Sequence, residues 1–276
     1  MLVLALVAAA AGLPGCAATQ GPAPVSTTDS PSSSVGGINL ALGLPTDSDP
    51  SDDLILDHEV FVVSYNVRRQ VPNWVAWRLV ADDFGKAHRV NNFHVDALLP
   101  ADWYHVGPLD YRGSGYDRGH LCPSGDRTSS PSANATTFVM TNMLPQVRAL
   151  NAGPWERLET YERELARQQG KQVFIVAGGL FDATGAQTVI GPGIAVPSAT
   201  FKVLVVLERG QGAADVSAAT NVYAVIMPNT ASVLGTAWQQ YLVTVDQVER
   251  ESGYNFLSRV AEGVQQVVEA RLPALP

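Results

Sequence analysis

Several short segments of the chain are rich in β-branched and aromatic residues, and one of them, residues 74–80, alternates between the two faces of a strand; both patterns predict β-strands. The predicted strands are residues 60–65 and 74–80, joined as a hairpin, and residues 137–143, 173–177, 201–207 and 222–227. A helical period begins at Trp155 and predicts a helix that Gly170 ends. Residues 245–260 and 261–272 are predicted as two closing helices. Because strands and helices do not alternate regularly, the pattern indicates a single domain of the α+β class.

The N-terminal residues 1–12 form an apolar run, too short for a membrane-spanning helix but of the length found in secretory signals. The next residues, Leu13-Pro14-Gly15-Cys16, are similar to the lipobox of bacterial lipoproteins, whose cysteine is lipidated and becomes the mature N-terminus. We therefore expect an exported protein with a signal segment at residues 1–16. It is expected to be lipid-anchored at the bacterial cell envelope or secreted, and to meet a membrane only through an anchor on Cys16.

Residues 17–53 are rich in Ser, Thr, Pro, Gly and Asp, a composition that cannot bury enough apolar surface to offset its ordering entropy. They are predicted to form a disordered tether, followed by a folded domain at residues 54–276. That domain can form a sizeable core, because 46% of the residues of the chain are hydrophobic.

The net charge of −8 argues against a protein whose whole surface binds nucleic acid. It leaves room for a basic cleft in an otherwise acidic molecule. We expect such a local excess of positive charge around five arginines, namely Arg89, Arg112, Arg118, Arg127 and Arg148.

The stretch from Asp117 to His120 holds an acid, a base, a glycine and an imidazole, which is a strong concentration of chemistry in four residues. A lone histidine is more often structural than catalytic, so the downstream residues decide its interpretation. Asn151 follows Asp117 by 34 residues at the start of the predicted helix. Glu159 follows Asn151 by eight residues and Arg163 follows Glu159 by four, which places them on one broad helical face. Asn151 could also be an ordinary helix cap, and the other two a solvated ion pair.

Three motifs in this order resemble the DNA/RNA non-specific endonucleases. They are Tyr116-Asp117-Arg118-Gly119-His120, Thr141-Asn142-Met143-Leu144-Pro145-Gln146, and Asn151 with Trp155, Leu158 and Glu159. The resemblance extends from about Phe61 to Leu257. It implies one nuclease domain with a central, mainly antiparallel sheet, flanking helices and a ββα-metal active-site motif. It also implies hydrolysis of phosphodiester bonds in DNA and RNA with little sequence preference.

The resemblance further implies roles for individual residues. His120 would be the general base that activates water, and Asn151 would bind Mg²⁺, or Mn²⁺, whose water ligands Asp117 and Glu159 would hold. Catalytic roles are implied for His120, Arg89, Asn142, Glu159 and Arg163, and substrate-binding roles for Arg118 and Gln146. A histidine with an unshifted pKa of ~6.5 could serve as a base at neutral pH without special burial.

Two alternatives compete with this interpretation. Cys122 would share a strand face with His120, so a Cys–His nucleophile is a rival mechanism. A non-catalytic exported lipoprotein that binds nucleic acid or a partner on a nuclease-like fold is a rival function. Loss of His120 or Asn151 would favour that second alternative, and both residues are present.

Overall fold

The computed structural model describes residue 2, residues 36–182 and residues 187–274. Chain contacts separate residues 1–33 from residues 34–276, and the fold described below belongs to the second unit. The predicted signal segment, including Cys16, lies outside the described residues apart from Leu2. Within the described ranges, no helix has both the length and the apolar character needed to cross a membrane.

A large antiparallel sheet forms the centre of the domain. The strands are β1 (Leu54–Asp57), β2 (Val62–Asn66), β3 (Val71–Leu79), β4 (Asp117–His120), β5 (Met143–Gln146), β6 (Gln172–Leu180), β7 (Val189–Ile190), β8 (Ile194–Ala195), β9 (Ala199–Leu207), β10 (Asn221–Pro228) and β11 (Leu242–Val243). Seven of them form one sheet in the order β1-β2-β3-β6-β9-β10-β11, and every neighbouring pair is antiparallel. Strands β4 and β5 form a separate antiparallel pair, as do β7 and β8.

Helices lie on the two faces of this sheet. They are α1 (Pro131–Thr136), the single turn α2 (Arg148–Leu150), α3 (Glu156–Arg167), α4 (Val245–Ser252) and α5 (Glu262–Glu269). A kinked π-helical turn, Asn151–Trp155, joins α2 to α3. The chain is thus α+β with a central antiparallel sheet, which confirms the predicted fold class.

The alternation along β3 shows how the two faces are divided. Val75 and Trp77 belong to one buried apolar cluster, which includes the β4–β5 pair and the inner side of α3. Trp74 and Ala76 belong to a second buried cluster, on the face covered by α4 and α5. The central strands are buried on both faces, and β4, β5 and α3 are collected on one of them.

The predicted tether extends too far along the chain. Residues 37–40 form a short 3₁₀ helix, and Leu40 and Leu42 are buried in the second apolar cluster. The Asn39 side chain accepts a hydrogen bond from the backbone N–H of Arg78 and donates one to the carbonyl of Glu59. The folded part therefore includes at least residues 36–53. Their average composition concealed the short apolar run from residue 38 to residue 42.

Two further elements differ from the sequence prediction. Residues 137–143 are not a strand, because Met140–Asn142 is a 3₁₀ turn and β5 begins only at Met143. The predicted helix at residues 245–260 ends at Ser252, where Gly253 adopts a φ of 83° that favours glycine. The predicted strands on either side of residue 70 and the helix after Pro154 are present.

Candidate active site

A ββα unit carries most of the predicted site residues. Strands β4 and β5 pair in antiparallel register, with Asp117 opposite Gln146 and His120 opposite Met143. A Cβ atom on Gly119 would collide with the buried side chain of Gln146, so any other residue at that position would force Gln146 to move. The chain then turns through α2 and the π-helical turn into α3. The result places the end of β4 beside the start of a helix.

The imidazole of His120 lies in a mostly apolar environment. Its ring contacts the edge of Phe138, at 5.0 Å between centroids, and Phe93, at 5.5 Å. Burial, together with the positive charges of Arg89 and Arg118, lowers the pKa of His120 to about 3. The expectation of an unshifted histidine is therefore wrong. His120 is a neutral imidazole at neutral pH, as a proton acceptor must be.

Asn151 lies at the first position of the π-helical turn and faces β4. Its Nδ2 donates a hydrogen bond to Oδ2 of Asp117 at 3.0 Å. The same carboxylate oxygen lies 3.5 Å from Nη1 of the exposed Arg148. Because the amide nitrogen is oriented by Asp117, the amide oxygen of Asn151 is left free of hydrogen bonds from the described residues. Asn151 is thus more than a helix cap.

The π-helical turn explains how Asn151 can depart from the helix that follows. Ala152 and Gly153 have non-helical backbone angles, and Pro154 cannot donate a backbone hydrogen bond. Such turns interrupt the regular hydrogen-bond ladder and re-aim side chains. Trp155, at the end of the turn, is buried and donates from Nε1 to the carbonyl of His120 at 3.2 Å. This bond links the turn directly to the end of β4.

Glu159 and Arg163 lie on the inner side of α3 rather than on a solvated face. Nη1 of Arg163 is 3.7 Å from Glu159 and 3.4 Å from Asp126, whose carboxylate also accepts a hydrogen bond from Trp77. Burial raises the pKa of Glu159 to about 7, against the opposing charges of Lys202 and Arg163. The structure brings these two residues together, and Arg163 is largely engaged by carboxylates.

Arg89 and Arg118 flank the aromatic residues around His120. The guanidinium of Arg89 lies over Phe138 and donates to Oγ of Ser124 at 3.0 Å. The guanidinium of Arg118 lies over Phe93, at 4.2 Å from the ring centroid. Stacking on an aromatic ring holds a guanidinium without neutralising its charge. Both cations are therefore available to an anion near His120.

A surface cavity begins beside this pair of elements. It is lined by Pro108, Leu109, Tyr111, Arg112, Tyr116, Asp117 and Arg118. Arg112 and Arg118 give it positive charge at one edge of the candidate site. The exposed side chain of Arg148 also lies nearby, because it contacts the carboxylate of Asp117. Arg127, by contrast, is buried and donates to the carbonyls of Val60 and Arg78, so the predicted inclusion of Arg127 in a basic cleft is wrong.

Asn142 and Gln146 do not take the roles first assigned to them. Asn142 is fully buried, and its amide bonds only the backbone of Cys122 and Thr137. It therefore positions the segment after His120 and does not touch the site. Gln146 is fully buried over Gly119, and neither of its amide atoms has a partner among the described residues. It cannot reach substrate directly.

The thiol of Cys122 does not provide a nucleophile. It is fully buried, and burial raises the pKa of Cys122 well above its ordinary value. A thiol that stays protonated and has no exposed surface cannot attack a phosphodiester. The rival Cys–His mechanism is excluded on these grounds.

Three residues that the sequence did not single out support the site. Lys202 on β9 and Glu162 on α3 are fully buried and form an ion pair at 3.1 Å, and the ammonium lies 4.2 Å from the ring centroid of Trp155. Asn229, just after β10, accepts from the N–H of Val147 and donates to the carbonyl of Pro145. Lys202 follows the alternation of its strand toward α3, which is the one sequence signal that could have identified it.

Comparison with known proteins agrees with this arrangement. A family model described as DNA/RNA non-specific endonuclease matches residues 40–263. The chain is 40% identical to a nuclease of Nostoc sp. over 274 residues, covering 98% of this chain and 97% of the relative. It is 28% identical to a nuclease of Serratia marcescens, covering 86% of this chain and 87% of the relative.

A solved structure has the same fold. The crystal structure of the EndoG/EndoGI complex contains a chain that matches with a TM-score of 0.69 and 27% identity, covering 86% of this chain and 96% of that one. Bovine mitochondrial endonuclease G is 33% identical, covering 72% of this chain and 68% of the relative. The fold and these similarities define a nuclease. The chain belongs to the DNA/RNA non-specific endonucleases and is an enzyme of the phosphodiester hydrolase class.

Proposed function

We propose that the protein hydrolyses DNA and RNA with a divalent metal ion bound at Asn151 and with His120 as the general base. The observation that carries this proposal is the orientation of the Asn151 amide. Its nitrogen is bonded to Asp117, and its oxygen accepts no hydrogen bond from the described residues, so the oxygen is free to bind an ion. Asp117 on β4 and Glu159 on α3 supply carboxylates from the strand and the helix of the same ββα unit.

The residues present fit a magnesium ion. Mg²⁺ prefers oxygen ligands and commonly keeps most of its water, so a single amide oxygen with carboxylates nearby is a suitable set. Asn151 would hold the ion, and Asp117 and Glu159 would order the surrounding water. When bound, Mg²⁺ supplies positive charge that stabilises the developing charge on the phosphate and the leaving oxygen.

His120 is suited to remove a proton from the attacking water. Its imidazole is uncharged, and Phe93 and Phe138 fix the orientation of the ring. A base with a pKa of about 3 is weak, but that value reflects burial and two nearby arginines without a bound anion. A phosphodiester placed against Arg89 and Arg118 would offset their charge and raise the pKa of His120 toward the working pH.

The arginines determine which part of the substrate the site contacts. Arg89 and Arg118 would bind phosphate oxygens, whereas Arg163 would act mainly by ordering Glu159, to which it is already paired. Contacts to phosphate carry no sequence information, so we expect little sequence preference and no strict choice between DNA and RNA.

We also propose that the protein is exported. The similarity of Leu13-Pro14-Gly15-Cys16 to a lipobox, after an apolar run of signal length, supports this proposal. Cys16→Ser should abolish incorporation of a labelled fatty acid in a bacterial host. If the wild-type chain takes up no label and remains in the cytosol, the proposal is wrong.

Purified protein incubated with supercoiled plasmid and with RNA tests the catalytic proposal. Cleavage should require Mg²⁺, stop with chelator, and fall by at least about 10²-fold in His120→Ala and in Asn151→Ala. His105→Ala is the matched control, because among the described residues that ring hydrogen-bonds the carbonyl of Pro100 alone, and its loss should leave cleavage unchanged. Cleavage that survives the chelator or either active-site substitution would contradict the mechanism.

A further inference from the structure

Two groups of carboxylates lie outside the candidate active site, and they differ in how they are satisfied. The first consists of Asp47, Asp52 and Asp53, and the second of Asp246, Glu249 and Glu269. In each group, one carboxylate oxygen from each residue lies within 4.8 Å of those of the others. Like charges at that separation repel, so each group needs protons, hydrogen-bond donors or a cation.

Neutral donors satisfy the first group. Asp52 accepts hydrogen bonds from the side chains of Asn66 and Asn73, and Asp53 accepts one from the hydroxyl of Tyr254 at 2.9 Å. Asp53 also receives a bond from Asn73. This group is therefore explained by contacts within the fold, and nothing about it calls for a ligand.

The second group has fewer donors. Among the described residues, Glu249 accepts a hydrogen bond from the backbone N–H of Phe256 at 2.8 Å, and the side chain of Gln265 lies within hydrogen-bonding reach of the Glu269 carboxylate. Among the described residues, no lysine, arginine or histidine forms an ion pair with Asp246, Glu249 or Glu269. Three acidic side chains thus meet without a compensating cation from the part of the chain that the structure describes.

Glu269 provides a separate indication of a missing partner. It is only 6% exposed, its carboxylate points into the group, and its Oε1 is buried with no hydrogen-bond partner in the described chain. Glu269 is also the last residue of α5, where the helix dipole disfavours a negative charge. Asp246, in the first turn of α4, is favoured by its own helix, but no such effect helps Glu269. A buried and unpaired polar oxygen is costly unless a ligand satisfies it.

We propose that Asp246, Glu249 and Glu269 form a second cation site, distinct from the active site, which takes a calcium-like divalent ion and ties α4 to α5. Oxygen ligands at irregular positions suit Ca²⁺, which accepts six to eight of them in flexible geometry, better than Mg²⁺, which requires a regular octahedron. Asp246 and Glu249 reach solvent, so water can complete the coordination. The consequence is structural. The ion would stabilise the C-terminal helices against the sheet without taking part in cleavage.

Thermal unfolding with Ca²⁺ alone as the probe tests the proposal. The full chain is stripped with chelator and melted with and without about 10 mM CaCl₂, in the wild type and in Asn151→Ala, which removes the proposed ligand of the active-site ion. Ca²⁺ should raise the Tm of both proteins by about 3–10 °C, the range expected for a weak extracellular type of site. It should not raise the Tm of Glu269→Gln.

The variants separate cation binding from simple loss of stability. Without Ca²⁺, Glu269→Gln should melt at or above the wild-type temperature, because it removes a buried acid that must otherwise be protonated or be repelled by its acidic neighbours. Asp246→Asn serves the same purpose if Glu269→Gln does not fold. Glu251→Gln, an exposed change on α4, should keep the full Ca²⁺ response and wild-type cleavage in Mg²⁺. An equal Ca²⁺ shift in Glu269→Gln, or no shift in the wild type, would overturn the proposal and indicate that the carboxylates share protons instead. The decision rests on the Tm values alone, and cleavage by Glu251→Gln only shows that the control is folded, so the result stands apart from the proposed nuclease mechanism.

Discussion

At the scale of single residues, burial determines the protonation of the two groups proposed for catalysis. The apolar contacts of His120 keep its ring neutral, and burial holds part of the Glu159 population protonated near neutral pH. The sequence identified both residues but could not reveal these shifts, because they come from Phe93, Phe138 and the inner side of α3. The motifs thus supply the reactive side chains, whereas residues elsewhere in the chain determine whether those side chains are protonated.

The pH dependence of cleavage should therefore follow Glu159 and not His120. Glu159 becomes a carboxylate as pH rises through about 7, so kcat/KM at low Mg²⁺ should rise in that range and should show no separate step near ~6.5 from histidine. Profiles from about pH 5 to about pH 9 for the wild type and Glu159→Gln provide the measurement. Glu159→Gln should be slower and should lose this step. A step near ~6.5 that persists in Glu159→Gln would show that His120 titrates normally.

Gly119 illustrates a steric requirement at one residue. Its Cα faces the Gln146 side chain, so Gly119→Ala should lower the free energy of unfolding by about 1–3 kcal/mol in a urea titration. Gln146→Ala in the same chain should recover part of that loss. The matched control is Gly263→Ala in α5, where the added methyl meets nothing and should stabilise by about 0.5–1 kcal/mol. Equal destabilisation by both substitutions would contradict the steric explanation.

At the scale of elements, α3 is attached to the sheet by charge as well as by apolar contact. Lys202 and Glu162 pair in a fully buried position, between the ring of Trp155 and β9. Burial raises the pKa of Glu162, and the Lys202 ammonium opposes that rise. Removing either side chain would therefore leave the other as a buried charge without a partner.

Lys202→Met should therefore lower the free energy of unfolding by roughly 3–5 kcal/mol, whereas Lys202→Met combined with Glu162→Leu should recover most of that loss. Chemical denaturation of the two single variants and the double variant measures the coupling. Lys171→Met breaks an exposed pair with Glu208 and should cost less than ~1 kcal/mol. If the double variant is as unstable as Lys202→Met, the pair does not act as a unit.

The elements also show what the sequence can predict. The helix after Pro154 and the central strands were predictable because each is marked by a pattern of apolar residues within a short segment of the sequence. The pairing of Lys202 with Glu162 was not, because Glu162 lies 40 residues earlier and only strand pairing brings them together. The contacts of Asn142 were also not predictable, because its amide bonds the backbone of Cys122, which lies 20 residues earlier.

At the scale of the whole molecule, an acidic protein must bind a polyanion through a local surface. Arg112 and Arg118 border the cavity beside Asp117, and each phosphate contact releases counterions. With chelator present to prevent cleavage, Arg112→Ala and Arg118→Ala should each reduce the slope of log Kd against log salt by about 1. Arg209→Ala removes an exposed arginine paired with Asp82 and should leave the slope unchanged. Equal slopes in all variants would place the binding surface elsewhere.

The limits of the folded unit can be tested by truncation. A chain that begins at residue 34 should retain cooperative unfolding and cleavage, whereas one that begins at residue 54 should lose both, because it lacks the buried side chains of Leu40 and Leu42 and the hydrogen bonds made by Asn39. Circular dichroism melts and plasmid cleavage measure the two outcomes. A stable and active chain from residue 54 would show that residues 36–53 are dispensable.

The position of Lys202 has a consequence for protein design. The ββα unit is short and continuous in sequence, so it looks suitable for transplantation into an unrelated scaffold. However, the cation beneath its tryptophan belongs to a sheet strand that follows the unit by more than 30 residues. A recipient scaffold that lacks a buried ammonium at that point would receive Glu162 as an uncompensated acid and would leave Glu159 with Arg163 as its cationic partner. Grafts of this unit should therefore be designed together with the strand that lies under it.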